Sequence, residues 1–152
     1  MWYAIIFMTQ NTVAKPKKKT KFEPVGVRLG VGRSRTGLGL FALEDIKRGT
    51  SIIEYVGRTI SKEEQYTSRS KYLFEINKKK TIDGAVRTNI ARYINHSCAP
   101  NCEIDIHKAR VFVMAKKNIK AGEELNYDYD TEYFDEYIKP KGCLCQKCSP
   151  LK

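Results

Sequence analysis

Acidic residues are the scarce class in this chain. Its 152 residues hold 17 Asp and Glu against 28 Lys and Arg, a formal charge of +11. Such an excess either draws polyanions such as nucleic acid or only keeps the surface solvated, and no recognised nucleic-acid motif decides between them. Long apolar runs are also missing. The opening MWYAIIFM is far shorter than the ~20 residues a membrane-spanning helix needs, so no membrane partner is expected. No basic segment precedes it and no small-residue cleavage pattern follows, which argues against a signal peptide. It reads as a packed terminal strand or as an upstream start, with Met8 an equal alternative. No cysteine occurs before Cys98. Cys143 and Cys145 are too close along the chain to bridge without strain. Metal binding in a reducing, intracellular compartment fits the five cysteines better than a disulfide framework, and leaves cytoplasm and nucleus both open. No internal repeat appears.

What is present describes one folded domain. The apolar content is 41%, with 9 Tyr, 6 Phe and 1 Trp. A chain of this length buries roughly two-thirds of its unfolded surface. Residues 1–24 form a basic N-terminal arm containing KPKKKTK at 15–21. That run is a solvated arm, or else a nuclear-targeting or polyanion-binding segment. From Val25 the pattern changes to short apolar or alternating runs, predicting strands at 25–31, 39–42, 51–56, 72–76, 81–82, 103–106 and 110–115. Turns are expected at Arg48-Gly49-Thr50 and Lys120-Ala121-Gly122. Helices are expected at 61–68, opening on a Ser61/Glu64 capping box, and at 86–93. The fold class is therefore mostly β with short helices.

Four runs carry the chemistry. RTGLGLFA (35–42) sets Gly37 and Gly39 around Leu38, allowing a tight turn and close approach of backbone to a ligand. It lacks the third glycine and the helix of a dinucleotide fingerprint. RYINHSCAPNC (92–102) places Arg92, Asn95, His96 and Cys98 within seven residues. An Asn-His pair can read an adenine edge or hold an amino-acid group; His96 could also be a general base or a metal ligand, and a lone His is by default a satisfied core residue. GEELNYDYD (122–130) puts Tyr127 and Tyr129 on one side of an extended chain, which by itself reads as an aromatic ladder packing on a sheet. Seven acidic residues fall between 123 and 136 with no Lys or Arg, a solvated face or a dock for a basic segment. CLCQKC (143–148) adds three soft ligands, where zinc prefers four in a closed tetrahedral site.

In this order the runs resemble the SET-domain protein lysine methyltransferases with a post-SET zinc tail. The resemblance covers roughly residues 27–150 and is most specific at RYINHSC. It implies a β-clip fold with a knot-like core over residues 25–135 and a zinc-bound post-SET segment at 136–152. It implies S-adenosylmethionine as cofactor, held by Thr36, Gly37, Leu38, Gly39, Tyr72, Arg92, Asn95 and His96. It places Tyr129 on the catalytic tyrosine, Tyr55 in the lysine channel with Phe74 by the peptide groove, and Tyr127 on the position that sets product number. It supplies Cys98 as the fourth structural zinc ligand beside Cys143, Cys145 and Cys148, leaving Cys102 a free thiol. The implied substrate is a lysine in a basic protein tail, a histone or a ribosomal or cytosolic protein, with mono- or dimethylation favoured. A non-catalytic scaffold that binds basic tails or nucleic acid is the rival reading. The chain departs from the family pattern at Arg58, where Glu is common, at Thr88-Asn89 in place of Gly-Asn, and in the shortened gap between Cys145 and Cys148.

Overall fold

The computed structural model describes residues 20–150. Ten short strands dominate: β1 (Leu29–Ser34), β2 (Gly37–Ala42), β3 (Ser51–Tyr55), β4 (Arg58–Ser61), β5 (Leu73–Asn77), β6 (Lys80–Asp83), β7 (Asn95–His96), β8 (Cys102–His107), β9 (Arg110–Ala115) and β10 (Asn126–Tyr127). They make an antiparallel β1-β2 hairpin, a three-stranded β3-β9-β8 sheet, a three-stranded β4-β6-β5 sheet and a parallel β10-β7 pair. Central β9 is covered on both faces, with Val111, Phe112 and Val113 at most 1% exposed. Leu40, Ile94, Ile119 and Leu125 complete the core, welding the hairpin and the β7 and β10 segments to the sheet.

Most of the expected strands appear with boundaries moved by a residue or two. The first begins only at Leu29, because the Arg28 backbone N–H is taken by Glu44 Oε1 at 2.9 Å. Strand β4 and the C-terminal turns were not legible. Both expected turns form, with Gly49 at φ +83° and Gly122 at φ +90°. Helix α1 spans Lys62–Thr67, and its cap is the anticipated one, since Ser61 Oγ accepts from the Glu64 N–H. The helix expected at 86–93 shrinks to a single 3-10 turn, Ile90–Tyr93. Asn89 prevents it: its buried side chain donates to Gly84 O and accepts from Val56 N–H, which holds its backbone at φ −86°, ψ 78°. After β10 the chain coils through α2 (Thr131–Tyr133), a π turn (Phe134–Ile138) and a 3-10 turn (Lys139–Lys141).

Phe22 stacks on His107 with ring centroids 4.2 Å apart, and its carbonyl accepts from Ser51 Oγ at 2.6 Å. Phe22, in the last part of the proposed arm, thus packs on the sheet, while residues 1–19, with Met8 and most of the KPKKKTK run, lie outside the described residues. No helix among the described residues is long and apolar enough to cross a membrane.

One crossing organises everything that follows. Segment 124–129 is tied to segment 94–101 by a set of bonds that includes Asn101 Nδ2 to Glu124 O, Asn126 N–H to Asn101 Oδ1, Asn101 N–H to Asn126 Oδ1, Ser97 N–H to Tyr127 O, Tyr129 N–H to His96 Nδ1 and Tyr129 Oη–H to Ile94 O. This interlocking is the knot-like core, and it brings residues about 30 positions apart into one wall.

Candidate active site

That wall separates two cavities. The larger, about 560 Å³, lies between the β1-β2 turn, the Asn95-His96 strand and the cysteine tail; Ser34, Arg35, Thr36, Asn95, His96, Glu124, Leu144 and Cys145 are among its lining. The smaller, about 340 Å³, is lined by Tyr55, Tyr72, Phe74, Arg92, Ile104, Tyr127, Tyr129 and Tyr133, with Glu75, Asp128 and Asp130 at its rim. Successive positions of β10 and its continuation thus serve different spaces, Asn126 the first and Tyr127 to Tyr129 the second.

The eight residues assigned to the cofactor divide between the cavities. Thr36, Asn95 and His96 line the larger one. Leu38 adjoins it through its carbonyl, which accepts from Asn95 Nδ2 at 2.9 Å. Gly37 takes φ +121°, a conformation side chains resist. Gly39 is needed for space, since an added Cβ would overlap the Glu124 carboxylate. Tyr72 and Arg92 line the smaller cavity instead. The Arg92 guanidinium lies 5.1 Å over the Tyr72 ring, and its Nε is buried without a partner.

The three tyrosines assigned to the lysine channel line one cavity, with Phe74 between Tyr55 and Tyr127. Tyr127 and Tyr129 ring centroids are 4.9 Å apart, Tyr55 packs on Phe74 at 5.4 Å and Phe74 faces Tyr127 at 6.5 Å. Tyr133, which sequence reasoning passed over, stands edge-on to Tyr129 at 5.2 Å. Its signal was weak, one of three aromatics, with Phe134 and Tyr137, scattered through an acidic stretch. Tyr129 donates to Ile94 O at 2.7 Å and Tyr55 to Tyr72 O at 2.8 Å, so each phenol proton is directed at a backbone carbonyl. Burial raises the pKa values of Tyr55, Tyr127 and Tyr129 above the ordinary phenol range. All three are neutral phenols at physiological pH, and none is a ready base.

His96 is neutral as well. Burial lowers its pKa, outweighing the opposite pull of Asp128. Its Nδ1 accepts the Tyr129 N–H at 3.1 Å, which places the proton on Nε2, 3.2 Å from Cys98 Sγ. The 3.5 Å approach of Asp128 to Nδ1 is thus not an ion pair. His96 links the channel tyrosine to the cysteine cluster rather than acting as a metal ligand.

Cys98, Cys143, Cys145 and Cys148 converge, with all four Sγ atoms within 4.8 Å of one another. Cys98 lies 3.9 Å from Cys143 and 3.6 Å from Cys148. A zinc ion with Zn–S bonds of about 2.3 Å sets its sulfurs about 3.8 Å apart, so the cluster has the size of a tetrahedral four-thiolate site. Burial opposes ionisation of Cys145, but the N–H groups of Cys98 and Cys148 outweigh it and lower that thiol to about 6. The short Cys145–Cys148 gap is accommodated by a tight turn, Cys148 N–H donating to Cys145 O at 3.1 Å. Cys102 stays apart, buried and donating to Asn101 Oδ1, its thiol pushed up to about 12 by burial.

The acidic stretch is not one surface. Glu123 and Glu124 face the larger cavity, Asp128 and Asp130 the rim of the smaller, and Asp135 pairs with Lys139 at 3.1 Å.

A family model described as the SET domain matches residues 37–130. Relatives include the Drosophila melanogaster histone-lysine N-methyltransferase trr, 40% identical over 74% of this chain and 5% of its own length. The Schizosaccharomyces pombe histone-lysine N-methyltransferase, H3 lysine-4 specific, is 36% identical over 89% of this chain and 15% of its own length. The chain therefore spans only a small part of these relatives. Among solved structures, a humanized mutant of the Chaetomium thermophilum Polycomb Repressive Complex 2 bound to an inhibitor superposes with a TM-score of 0.62, at 38% identity over 68% of this chain and 15% of that one. A ctPRC2 structure in an autoinhibited conformation bound to S-adenosylmethionine gives the same TM-score at 36% identity, with the same coverage of both chains. The motifs, the interlocked core and the matched residues agree: the chain belongs to the SET-domain family.

Proposed function

We propose that this chain transfers the methyl group of S-adenosylmethionine to the ε-amine of a lysine in a basic protein segment, histone tails first. One observation carries the reading: two cavities lie back to back across the Asn95-His96 and Asn126–Tyr129 wall, one with polar groups at its edge and one ringed by aromatics. The relatives named as histone-lysine N-methyltransferases and the neighbour bound to S-adenosylmethionine support it. Chromatin is the compartment such a substrate implies.

The larger cavity fits the cofactor. Its volume is within the range of small-molecule sites. No described residue donates to Asn95 Oδ1, which leaves an acceptor for a ligand N–H. Thr36 to Gly39, Asn95 and His96 would hold the cofactor from this side, with Tyr72 and Arg92 reaching it from beyond the wall. When bound, S-adenosylmethionine supplies an already electrophilic methyl group. The chain then has to align the lysine and keep its amine neutral. A lysine amine near pKa 10.4 is mostly protonated at pH 7, and the apolar ring faces of Tyr55, Phe74 and Tyr127 favour the uncharged form by desolvation. The raised phenols cannot take the proton, so it leaves to solvent as the amine enters. Tyr129 spends its hydrogen on Ile94 O, leaving its oxygen lone pairs as acceptors that orient the amine, while the Tyr55 hydroxyl is taken up by Tyr72 O and Asn89 and contributes its ring. Asp128 and Asp130 beside the smaller cavity suit lysines or arginines flanking the target, whereas Glu75 is already paired with Lys62.

Tyr127 favours mono- or dimethylation, because a phenol beside the amine leaves less room for added methyls. Tyr127→Phe should raise the number of methyls per lysine by one; an unchanged number rejects that role. The test of the reaction is intact-mass spectrometry of histones and ribosomal proteins incubated with the chain and S-adenosylmethionine. Methyl additions on lysine establish it and name the substrate. A chain that binds neither cofactor nor methylates would instead be a binding scaffold.

A further inference from the structure

Glu124 belongs to no role assigned so far, yet it sits at the junction of three elements of the larger cavity. Its Oε1 accepts from Asn95 Nδ2 at 2.8 Å and its Oε2 accepts from Ser34 Oγ at 2.9 Å. Its backbone bridges to Phe41 on β2, and the next residue, Leu125, donates to Leu40 O at 2.8 Å. Gly39 lies so close to its carboxylate that no Cβ fits between them.

We propose that Glu124 is a positioning residue that holds the Asn95 amide in its cofactor-facing orientation. The proposal rests on the larger cavity being the S-adenosylmethionine site. Asn95 has two Nδ2 hydrogens and two strong acceptors for them, Glu124 Oε1 and Leu38 O at 2.9 Å. Rotating the amide by half a turn would set its oxygen against a carboxylate and a carbonyl, losing two hydrogen bonds and creating two repulsive contacts. The bond to a charged acceptor is the stronger of the pair. Asn95 Oδ1 is thereby committed to the cavity as an acceptor. The ligand group it suits is an N–H donor, such as an ammonium or an exocyclic amine. The Ser34 bond extends the same tie to the β1-β2 turn, so one carboxylate sets the distance between the turn and the Asn95-His96 strand.

Calorimetric titration of S-adenosylmethionine, paired with steady-state kinetics, tests this. Glu124→Ala and Glu124→Met, the second keeping side-chain length without an acceptor, should each weaken cofactor binding about 10- to 100-fold. The KM for cofactor should rise accordingly, while kcat at saturating cofactor changes by less than about threefold. Glu124→Gln should stay within about threefold of wild type, because its amide oxygen accepts from Asn95 and its amide nitrogen donates to Ser34. In an Asn95→Ala background, Glu124→Met should cost less than about twofold more, since the partner it positions is gone. Full cofactor affinity in folded Glu124→Met, or full additivity with Asn95→Ala, overturns the proposal. Wild-type protein that does not bind S-adenosylmethionine overturns the reading of the cavity itself, which is a separate result.

Discussion

Tyr129 donates its phenol hydrogen to the carbonyl oxygen of Ile94 at 2.7 Å, across 35 positions of chain. The same residue's backbone N–H is held by His96 Nδ1. Ring and main chain are thus clamped to the segment that walls off the larger cavity, and the phenol cannot swing away without breaking the core crossing.

Tyr129→Phe removes this hydroxyl while keeping the ring contacts to Tyr127 and Tyr133. Turnover should fall about 100-fold or more, in line with loss of one oriented polar group at a reaction centre. Cofactor affinity should stay within about twofold, since the ring lines the other cavity. Near-normal turnover in a folded mutant would remove Tyr129 from the reaction.

The rate should climb with pH through the neutral range and on toward the lysine pKa. The reactive form is the neutral amine, whose fraction grows as pH rises. The enzyme's own phenols do not reverse this climb, because burial raises Tyr55, Tyr127 and Tyr129 above 10 and they remain protonated. A bell-shaped kcat profile with a descending limb below about pH 9, in protein shown to stay folded, would contradict that assignment.

Gly39→Ala and Gly37→Ala should differ in kind. At Gly39 the new Cβ meets the Glu124 carboxylate and the Ser34 Cβ, so backbone or carboxylate must shift. Cofactor affinity should drop at least about 10-fold, because the Asn95 tie is disturbed. At Gly37 the Cβ meets nothing, and the cost is the strain of φ +121°, about 1–2 kcal/mol. Thermal melts and cofactor titrations on both variants separate the two; equal binding in Gly39→Ala would refute the close approach.

Freshly purified protein should carry one zinc per chain. Cys98→Ser should release it and destabilise the tail, as should a strong chelator, with the loss greatest in the segment from 143 to 148 by hydrogen exchange. Cys102→Ser should leave the metal count unchanged, since Cys102 bonds within the core instead. A metal count of zero in wild-type protein would refute the site.

Several features were legible in the chain because they depend on neighbours in sequence. The Ser61 cap works through a residue three positions on, and the glycine turns at 49 and 122 are set by local dihedrals. Strand β9 carries its own unbroken apolar run and was placed to the residue. The site motifs were visible as strings, but their division of labour was not. Tyr72 and Arg92 could not be sorted from Asn95 and His96 by spacing, because Arg92 is three residues from Asn95 yet opens on the opposite side of the wall. The helix expected at 86–93 failed for a long-range reason, the hold on Asn89 by Gly84 and Val56.

Residue identity therefore determined the repertoire: neutral tyrosines, an Asn-His pair, four convertible thiols, a tight glycine turn. Tertiary structure decided which of these face each other. The parallel Asn95–Asn126 pairing brings together segments about 30 residues apart, and only then do Glu124 and Asn95 share a hydrogen bond or Tyr127 and Tyr129 leave Asn126 for a different cavity. A hydrogen bond acts over about 3 Å while sequence spacing constrains nothing beyond the local turn or strand, so such pairings exist only once the core has closed.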